Sequence, residues 1–296
     1  MSATAIGIDL GGTRIKALAL NADGNILHHL YKPTNDGDDT FWKRAVAEAV
    51  NEIKQMIGTD QFVVGISAPG LPNDDNTAIA FMPGRLQGLE SFCWKDFLHT
   101  PTYVLNDAVS ALMAESRLGA AKHKKNVVMI TLGTGVGGAI LINGKPYQGA
   151  FNKAGHVGHI VINDEGEPDV TGMPGSLEDA IGNVTVEQRS NGKFTSTQQM
   201  LDAMRAGDDF AKKIWLTSVR KLAIGIASIT NLLSPETIIL GGGITEAGKD
   251  LFEPLEEYLA KYEWRAGGNK VEIIKAAFGD LSGAAGAASY ALEHVQ

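Results

Sequence analysis

The chain has 296 residues, 44% of them hydrophobic and 20% charged, the composition of a soluble globule with room for about two domains. A formal net charge of −8 spread along the chain argues against a nucleic-acid footprint, and the single cysteine, Cys93, excludes an internal disulfide and any cysteine-built metal site. No run reaches membrane-spanning length and no basic-then-apolar leader opens the chain, so a cytoplasmic protein with neither membrane nor nucleic-acid partners is expected.

From the N-terminus, an alternating run reaches Asp9, continues through Leu10 into the glycine turn Gly11-Gly12-Thr13, and resumes as a second alternating run to Leu20. That pattern reads as strand, tight turn, strand. A turn signal at Asn21 to Gly24 leads to a third antiparallel strand at Ile26 to Leu30. Behind Thr40, apolar residues at Phe41, Ala45, Val46, Ala49, Val50, Ile53 and Ile57 keep helical spacing. Phe62 to Ile66 is a buried strand ending in Ser67-Ala68-Pro69-Gly70. Phe81-Met82-Pro83-Gly84 is a loop carrying a turn dipeptide, and Thr102 to Leu105 is a further strand. It runs into Asn106-Asp107, where a helix begins. Polar residues at such a junction suit helix caps, and ligand sites also lie at strand ends, so both readings stand for Asn106 and Asp107.

A near copy of the first hairpin returns at Val128 to Ile142, with Thr131 in place of Asp9 and Gly133-Thr134-Gly135 as its turn. Glycines clustered at a turn are explained by positive φ or by close approach of the backbone to a ligand. Two such hairpins suggest two related lobes facing one anion. The segment Ala154-Gly155-His156-Val157-Gly158-His159 follows, then a glycine-rich loop from Gly166 to Gly182 that contains Glu178. Helical patterns occupy Thr197 to Met204 and Asp208 to Leu233. Thr237 to Leu240 is a strand turning at Gly241-Gly242-Gly243 into a helix, Ala247 to Tyr262; a last strand, Val271 to Ala276, precedes an alanine-rich helix, Leu281 to His294.

Taken in this order, Asp9-Leu10-Gly11-Gly12-Thr13, Ser67-Ala68-Pro69-Gly70, Asn106-Asp107, Thr131 to Gly138, Gly158-His159, Glu178 and Ser234 to Gly243 resemble the ROK family of sugar kinases, within the actin-like ATPase and hexokinase superfamily. The resemblance runs nearly end to end. It implies an α/β fold of two actin-like ATPase (RNase H-like) lobes, each a mixed sheet flanked by helices, with an interlobe cleft. The small lobe is expected over 1–105, with a C-terminal helix at about 283–296 that can pack back on it, and the large lobe over 106–282. A homodimer is what the family implies.

The resemblance also implies the roles of the residues. Asp107 matches the general base that accepts the sugar hydroxyl proton, a role for which a near-normal carboxylate pKa is expected. Asn106, His159 and Glu178 match residues that bond sugar hydroxyls, with Ser67, Pro69, Gly70, Pro83, Gly84 and His156 also on the substrate side. Gly11, Gly12, Thr13, Lys16, Thr131, Gly133, Thr134 and Gly135 fall to the phosphates of ATP, which backbone N–H groups can cradle. Gly241, Gly242 and Gly243 match the adenosine-binding edge. Asp9 is expected to hold Mg²⁺ through water, since Mg²⁺ takes few carboxylates and keeps several waters.

Two departures lie beside the sugar. Most members carry cysteines where this chain has Asp169, Thr171 and Ser176, so no zinc is expected. The glutamate usual three residues before His159 is His156, which bears on the choice of sugar. The expected activity is ATP-dependent phosphorylation of a hexose, glucose to glucose 6-phosphate. The alternatives are another acceptor (N-acetylmannosamine, fructose or allose), a polyphosphate donor, and a non-catalytic sugar sensor; regulators of the family carry a DNA-binding segment before the first motif, whereas here eight residues precede Asp9.

Overall fold

The computed structural model describes residues 3–37, 39–169 and 171–294. The chain divides into two compact units: residues 1–124, 144–154 and 276–296 form the first, residues 125–143 and 155–275 the second.

The first unit is built on the sheet Ile26–Pro33, Arg14–Asn21, Thr4–Leu10, Val63–Ala68, Thr102–Asn106, in that spatial order. The first three strands are antiparallel and the last two join in parallel. The helix Asp39–Ile57 supplies Trp42, Ala45, Val46, Ala49, Val50 and Ile53 to the core at spacings of three and four, the single stripe that a helix on a sheet must bury. Helix Ser282–Leu292 covers strands Thr4–Leu10 and Val63–Ala68. Its approach is close because small residues line it: a Cβ at Gly7 would run into the Ala284 carbonyl, and one at Gly65 into the Ala287 carbonyl.

The second unit repeats the plan. Within it the strands run Val136–Ile142, Val127–Leu132, Thr237–Gly241, Glu272–Lys275, the first pair antiparallel and the others parallel. The long helix Asp209–Leu233 packs on Lys249–Tyr262, and its Trp215 is fully buried with Nε1 donating to the Asp250 carbonyl at 2.8 Å. The two hairpins close at matching places with loops of different length: Leu10 pairs with Ile15 around Gly11-Gly12-Thr13-Arg14, and Leu132 with Val136 around Gly133-Thr134-Gly135. The short helix Trp94–Leu98 has no periodicity by which the pattern could show it. No helix among the described residues is long and apolar enough to cross a membrane.

Candidate functional site

In the first unit, sheet register assembles the environment of Asp9. Its antiparallel Cα partner is Lys16 and its parallel partner is Ser67. Lys16 Nζ lies 3.0 Å from Asp9 Oδ2, and the fully buried Ser67 hydroxyl donates to Asp9 Oδ1 at 3.1 Å. Lys16 also reaches Asp280 Oδ1 at 3.1 Å, while Arg14 pairs with Asp280 Oδ2 at 3.0 Å. Burial works against the Lys16 charge, but the carboxylates of Asp9 and Asp280 outweigh it and lift its pKa above the usual lysine value. Glycine at 283 leaves room for this cluster, since a Cβ there would stand 2.6 Å from Asp9 Oδ1.

The turn beside Asp9 is tied down by Thr34, whose Oγ1 donates to the Gly11 carbonyl at 2.5 Å and whose N–H donates to the Thr13 carbonyl at 3.1 Å. None of Gly11, Gly12, Gly133 and Gly135 has a positive φ. Conformation is therefore not the reason for glycine at these positions; clearance from a side chain applies at Gly12 and Gly135, whereas a Cβ on Gly133 would meet nothing within 4 Å. A Cβ on Gly12 would meet the Arg85 guanidinium, and one on Gly135 the Glu178 carboxylate.

Asn106 and Asp107 stand at the junction of strand Thr102–Asn106 and helix Asp107–Arg117. Asn106 is buried and caps the helix: its Oδ1 accepts from the Ala108 N–H at 2.9 Å, and its Nδ2 donates to the Gly70 carbonyl at 3.0 Å. Gly70 sits at φ 102 where a side chain would strike the Phe81 carbonyl, so the Ser67 to Gly70 turn has little freedom. Asp107 Oδ1 accepts from the Ala108 N–H at 2.8 Å. The near-normal pKa expected for Asp107 is corrected. The carboxyl keeps accessible surface, yet the protein crowding it removes much of its bulk water, and this desolvation pushes the pKa above the ordinary value. The Asp9 charge adds to the rise; the Ala108 N–H and the Arg85 charge oppose it.

Pro83 and Gly84 line a cavity of about 800 Å³ together with Asp36, Arg85 and Glu90. Asp36 holds this loop by accepting from the Leu86 N–H at 2.6 Å and standing 3.7 Å from Arg85 Nε.

In the second unit, Gly241 is the parallel partner of Thr131, which sets the strand-end glycines beside the second hairpin. Gly242, at φ 88, passes so close to the Leu132 carbonyl that any Cβ would collide with it. Gly133, Thr134 and Gly243 then share a cavity of about 370 Å³ with Asn183, Thr197, Gln198, Leu201, Ile244 and Ala247. Thr197 opens the helix Thr197–Arg205, is only 5% exposed, and its Oγ1 has no hydrogen-bond partner among the described residues. A cavity of this size with a buried, unpartnered hydroxyl on its wall suits a polar organic ligand.

Also in this unit, the rings of His156 and His159 lie nearly parallel, 6.5 Å apart, and His159 Nδ1 is 3.3 Å from Asp169 Oδ2. Burial, and then the neighbouring His159, hold His156 below the usual histidine value. Glu178 sits on the short helix Leu177–Ile181, and its Oε2 accepts from the Val136 N–H at 2.8 Å, so it braces the second hairpin. Among the described residues no group of three or more His, Cys, Asp or Glu could hold a metal ion.

The expected residues thus gather as two sets. Asp9, Gly11, Gly12, Thr13, Lys16, Ser67, Pro69, Gly70, Pro83, Gly84, Asn106 and Asp107 belong to the first unit; Thr131, Gly133, Thr134, Gly135, His156, His159, Glu178, Gly241, Gly242 and Gly243 belong to the second. Sequence reasoning passed over Arg85, Thr197, Asn183 and Asp280. Only Arg85 carried a signal, directly after the Pro83-Gly84 turn.

The ROK family model matches residues 5–294. A glucokinase of Halalkalibacterium halodurans is 31% identical, over 95% of this chain and 92% of its own. A ROK hexokinase from Thermus thermophilus superposes with a TM-score of 0.87 at 28% identity, covering 97% of each chain. A ROK family glucokinase from Streptomyces griseus, in complex with glucose and AMPPNP, gives 0.79 at 27% identity, over 98% of this chain and 99% of its own.

Proposed function

Because this chain belongs to the ROK family, we propose that it is a sugar kinase that transfers the γ-phosphate of ATP to a hexose, with glucose the favoured acceptor and glucose 6-phosphate the product. The fold is that of the actin-like ATPases, two mixed sheets flanked by helices. The observation that carries the reading is the duplicated hairpin, with Asp9 before one glycine turn and Thr131 before the other; within the first unit the Asp107 carboxylate lies near enough to Asp9 to feel its charge. The 31% identity to a glucokinase and the glucose and AMPPNP held by the S. griseus relative support the choice of acceptor and donor.

In this mechanism Asp107 accepts the proton of the attacking hydroxyl as its oxygen bonds to the γ-phosphorus and the bond to the β-phosphate oxygen breaks, releasing ADP. Phosphoryl transfer passes through a loose, charge-rich transition state, so the remaining residues position groups and stabilise charge. The carboxylate of Asp9, held between the Ser67 hydroxyl and Lys16, fits a Mg²⁺ site of the water-mediated kind. When bound, Mg²⁺ would neutralise phosphate charge. The Arg85 guanidinium beside Gly12 adds a positive charge next to the phosphate turn. In the second unit the Gly133 to Gly135 turn takes phosphate oxygens, and the cavity bounded by Gly243 and Thr197 takes the nucleoside. His156, His159 and Glu178 contact the sugar. The test is ADP release by purified protein against hexoses, N-acetylhexosamines and ketoses. Turnover highest with glucose supports the reading; tight sugar binding without turnover on any sugar would replace it with a sensor.

A further inference from the structure

Asp169 is a hydrogen-bond hub. Its side chain is fully shielded from solvent, and Oδ1 accepts from the Thr171 N–H at 2.7 Å, the Thr171 hydroxyl at 2.6 Å and the Met173 N–H at 3.1 Å. Its backbone closes the same loop, its N–H donating to the Met173 carbonyl at 2.8 Å and its carbonyl accepting from the Gly172 N–H at 2.9 Å. Oδ1 is therefore committed to the loop, and Oδ2 is left to face His159 Nδ1 at 3.3 Å.

We propose that Asp169 is a positioning residue that fixes the ring tautomer of His159, and with it the hydrogen-bond polarity His159 offers to a sugar hydroxyl. This rests on the reading of His159 as a sugar contact. Burial opposes ionisation of Asp169, but the donors of Thr171, Met173 and Ser176 outweigh it and hold the carboxyl well below the usual carboxylate range. At neutral pH the group is an anion and can only accept. The His159 nitrogen facing it must carry the hydrogen, so in the neutral ring Nε2 bears the lone pair. An acceptor at Nε2 receives a hydrogen bond from a sugar hydroxyl. The ring of His156 lies nearly parallel to that of His159, 6.5 Å away.

Asp169→Asn separates this role from loop integrity. The two backbone N–H donors of the loop need an acceptor, so the amide oxygen takes the place of Oδ1 and the amide NH₂ turns toward His159. A donor facing Nδ1 favours the opposite tautomer, with hydrogen on Nε2. The experiment uses the full chain and reads three quantities: the His159 tautomer by ¹⁵N-resolved NMR, the dissociation constant of glucose by calorimetry, and the melting temperature. The wild type is expected to carry hydrogen on Nδ1, and Asp169→Asn on Nε2. Glucose affinity should fall on the order of 10- to 100-fold, the effect of a mismatched buried hydrogen bond, while the melting temperature falls with the loss of the carboxylate charge that the loop donors stabilise but the fold is kept. In a His159→Gln background, where the amide can rotate to present either group, Asp169→Asn should have no further effect on affinity. A wild-type spectrum with hydrogen on Nε2 would overturn the proposal without any need for Asp169→Asn to fold, and additive losses in the double variant would overturn it as well. A tautomer that switches while glucose affinity stays constant would instead remove His159 from the sugar, and the proposal with it.

Discussion

Asp9 and Lys16 are Cα partners across the first hairpin, and Lys16 Nζ stands 3.0 Å from Asp9 Oδ2 while also reaching Asp280. With Ser67 on the other carboxylate oxygen, Asp9 is fixed in place by its two neighbours in the sheet. On the proposed reading, a carboxylate held this way serves a metal-bound nucleotide and does not touch the acceptor. Asp9→Ala is expected to raise the Mg²⁺ concentration needed for half-maximal turnover on the order of 10- to 100-fold, as loss of a group acting on the metal through water does. A Mg²⁺ titration of the rate beside calorimetry of glucose binding checks this. Lost glucose binding with an unaltered Mg²⁺ requirement would reverse the assignment.

His156 makes the protein acid-sensitive. Its pKa is held below the usual 6.5 by burial and by His159, so below that value the unfolded chain binds more protons than the folded one. Stability from this residue is complete above the ordinary histidine value and is lost as pH falls through it toward the depressed folded value. The limiting slope for one proton is about 1.4 kcal/mol per pH unit. Thermal melts from about pH 7 to about pH 5 should drop for the wild type and drop less for His156→Gln, the histidine range being set by its ordinary pKa. Equal slopes for both proteins would remove His156 as the cause.

Gly286 tests the packing of the C-terminal helix. An alanine there gains about 1 kcal/mol of helix propensity. Against this, its Cβ would run into the Ser110 carbonyl and stand 2.9 Å from the Ala114 amide nitrogen, both backbone atoms that cannot swing aside. Overpacking of this kind costs about 1–3 kcal/mol, so after that gain Gly286→Ala should destabilise by up to about 2 kcal/mol. Denaturant midpoints decide the sign. A stabilised variant would mean that propensity, and not contact with helix Asp107–Arg117, governs this position.

The repeated hairpin was legible because alternation and a glycine turn are local signals, and both copies close at the expected residues. Partnerships set by tertiary contact were not. Gly12 reads as a phosphate glycine, and the side chain that a Cβ there would meet first is the mobile end of Arg85, 73 positions away by the difference between 85 and 12. Glu178 is bonded to the Val136 N–H, a contact that no spacing rule contains. The raised pKa of Asp107 likewise depends on the crowding around it and on Asp9, which reaches it only through the sheet. Asn106 shows the converse: the cap expected from its place at a helix start is formed, and it commits both ends of the amide to backbone.

The central claim is tested most directly by the turnover of Asp107→Asn at saturating glucose and Mg²⁺-ATP, measured across pH beside glucose affinity. Asparagine keeps the acceptor that meets the Ala108 N–H but cannot take a proton, and general-base catalysis is worth on the order of 10²–10⁴ in rate. The account predicts a fall in kcat of that size with the glucose dissociation constant little changed. In the wild type, the acid limb of kcat/KM should lie above the ordinary aspartate value, because desolvation raises the Asp107 pKa, and activity should be lost as pH falls through that raised value. The limb should vanish in the variant. Near-normal kcat in Asp107→Asn, with the acid limb intact, would contradict it.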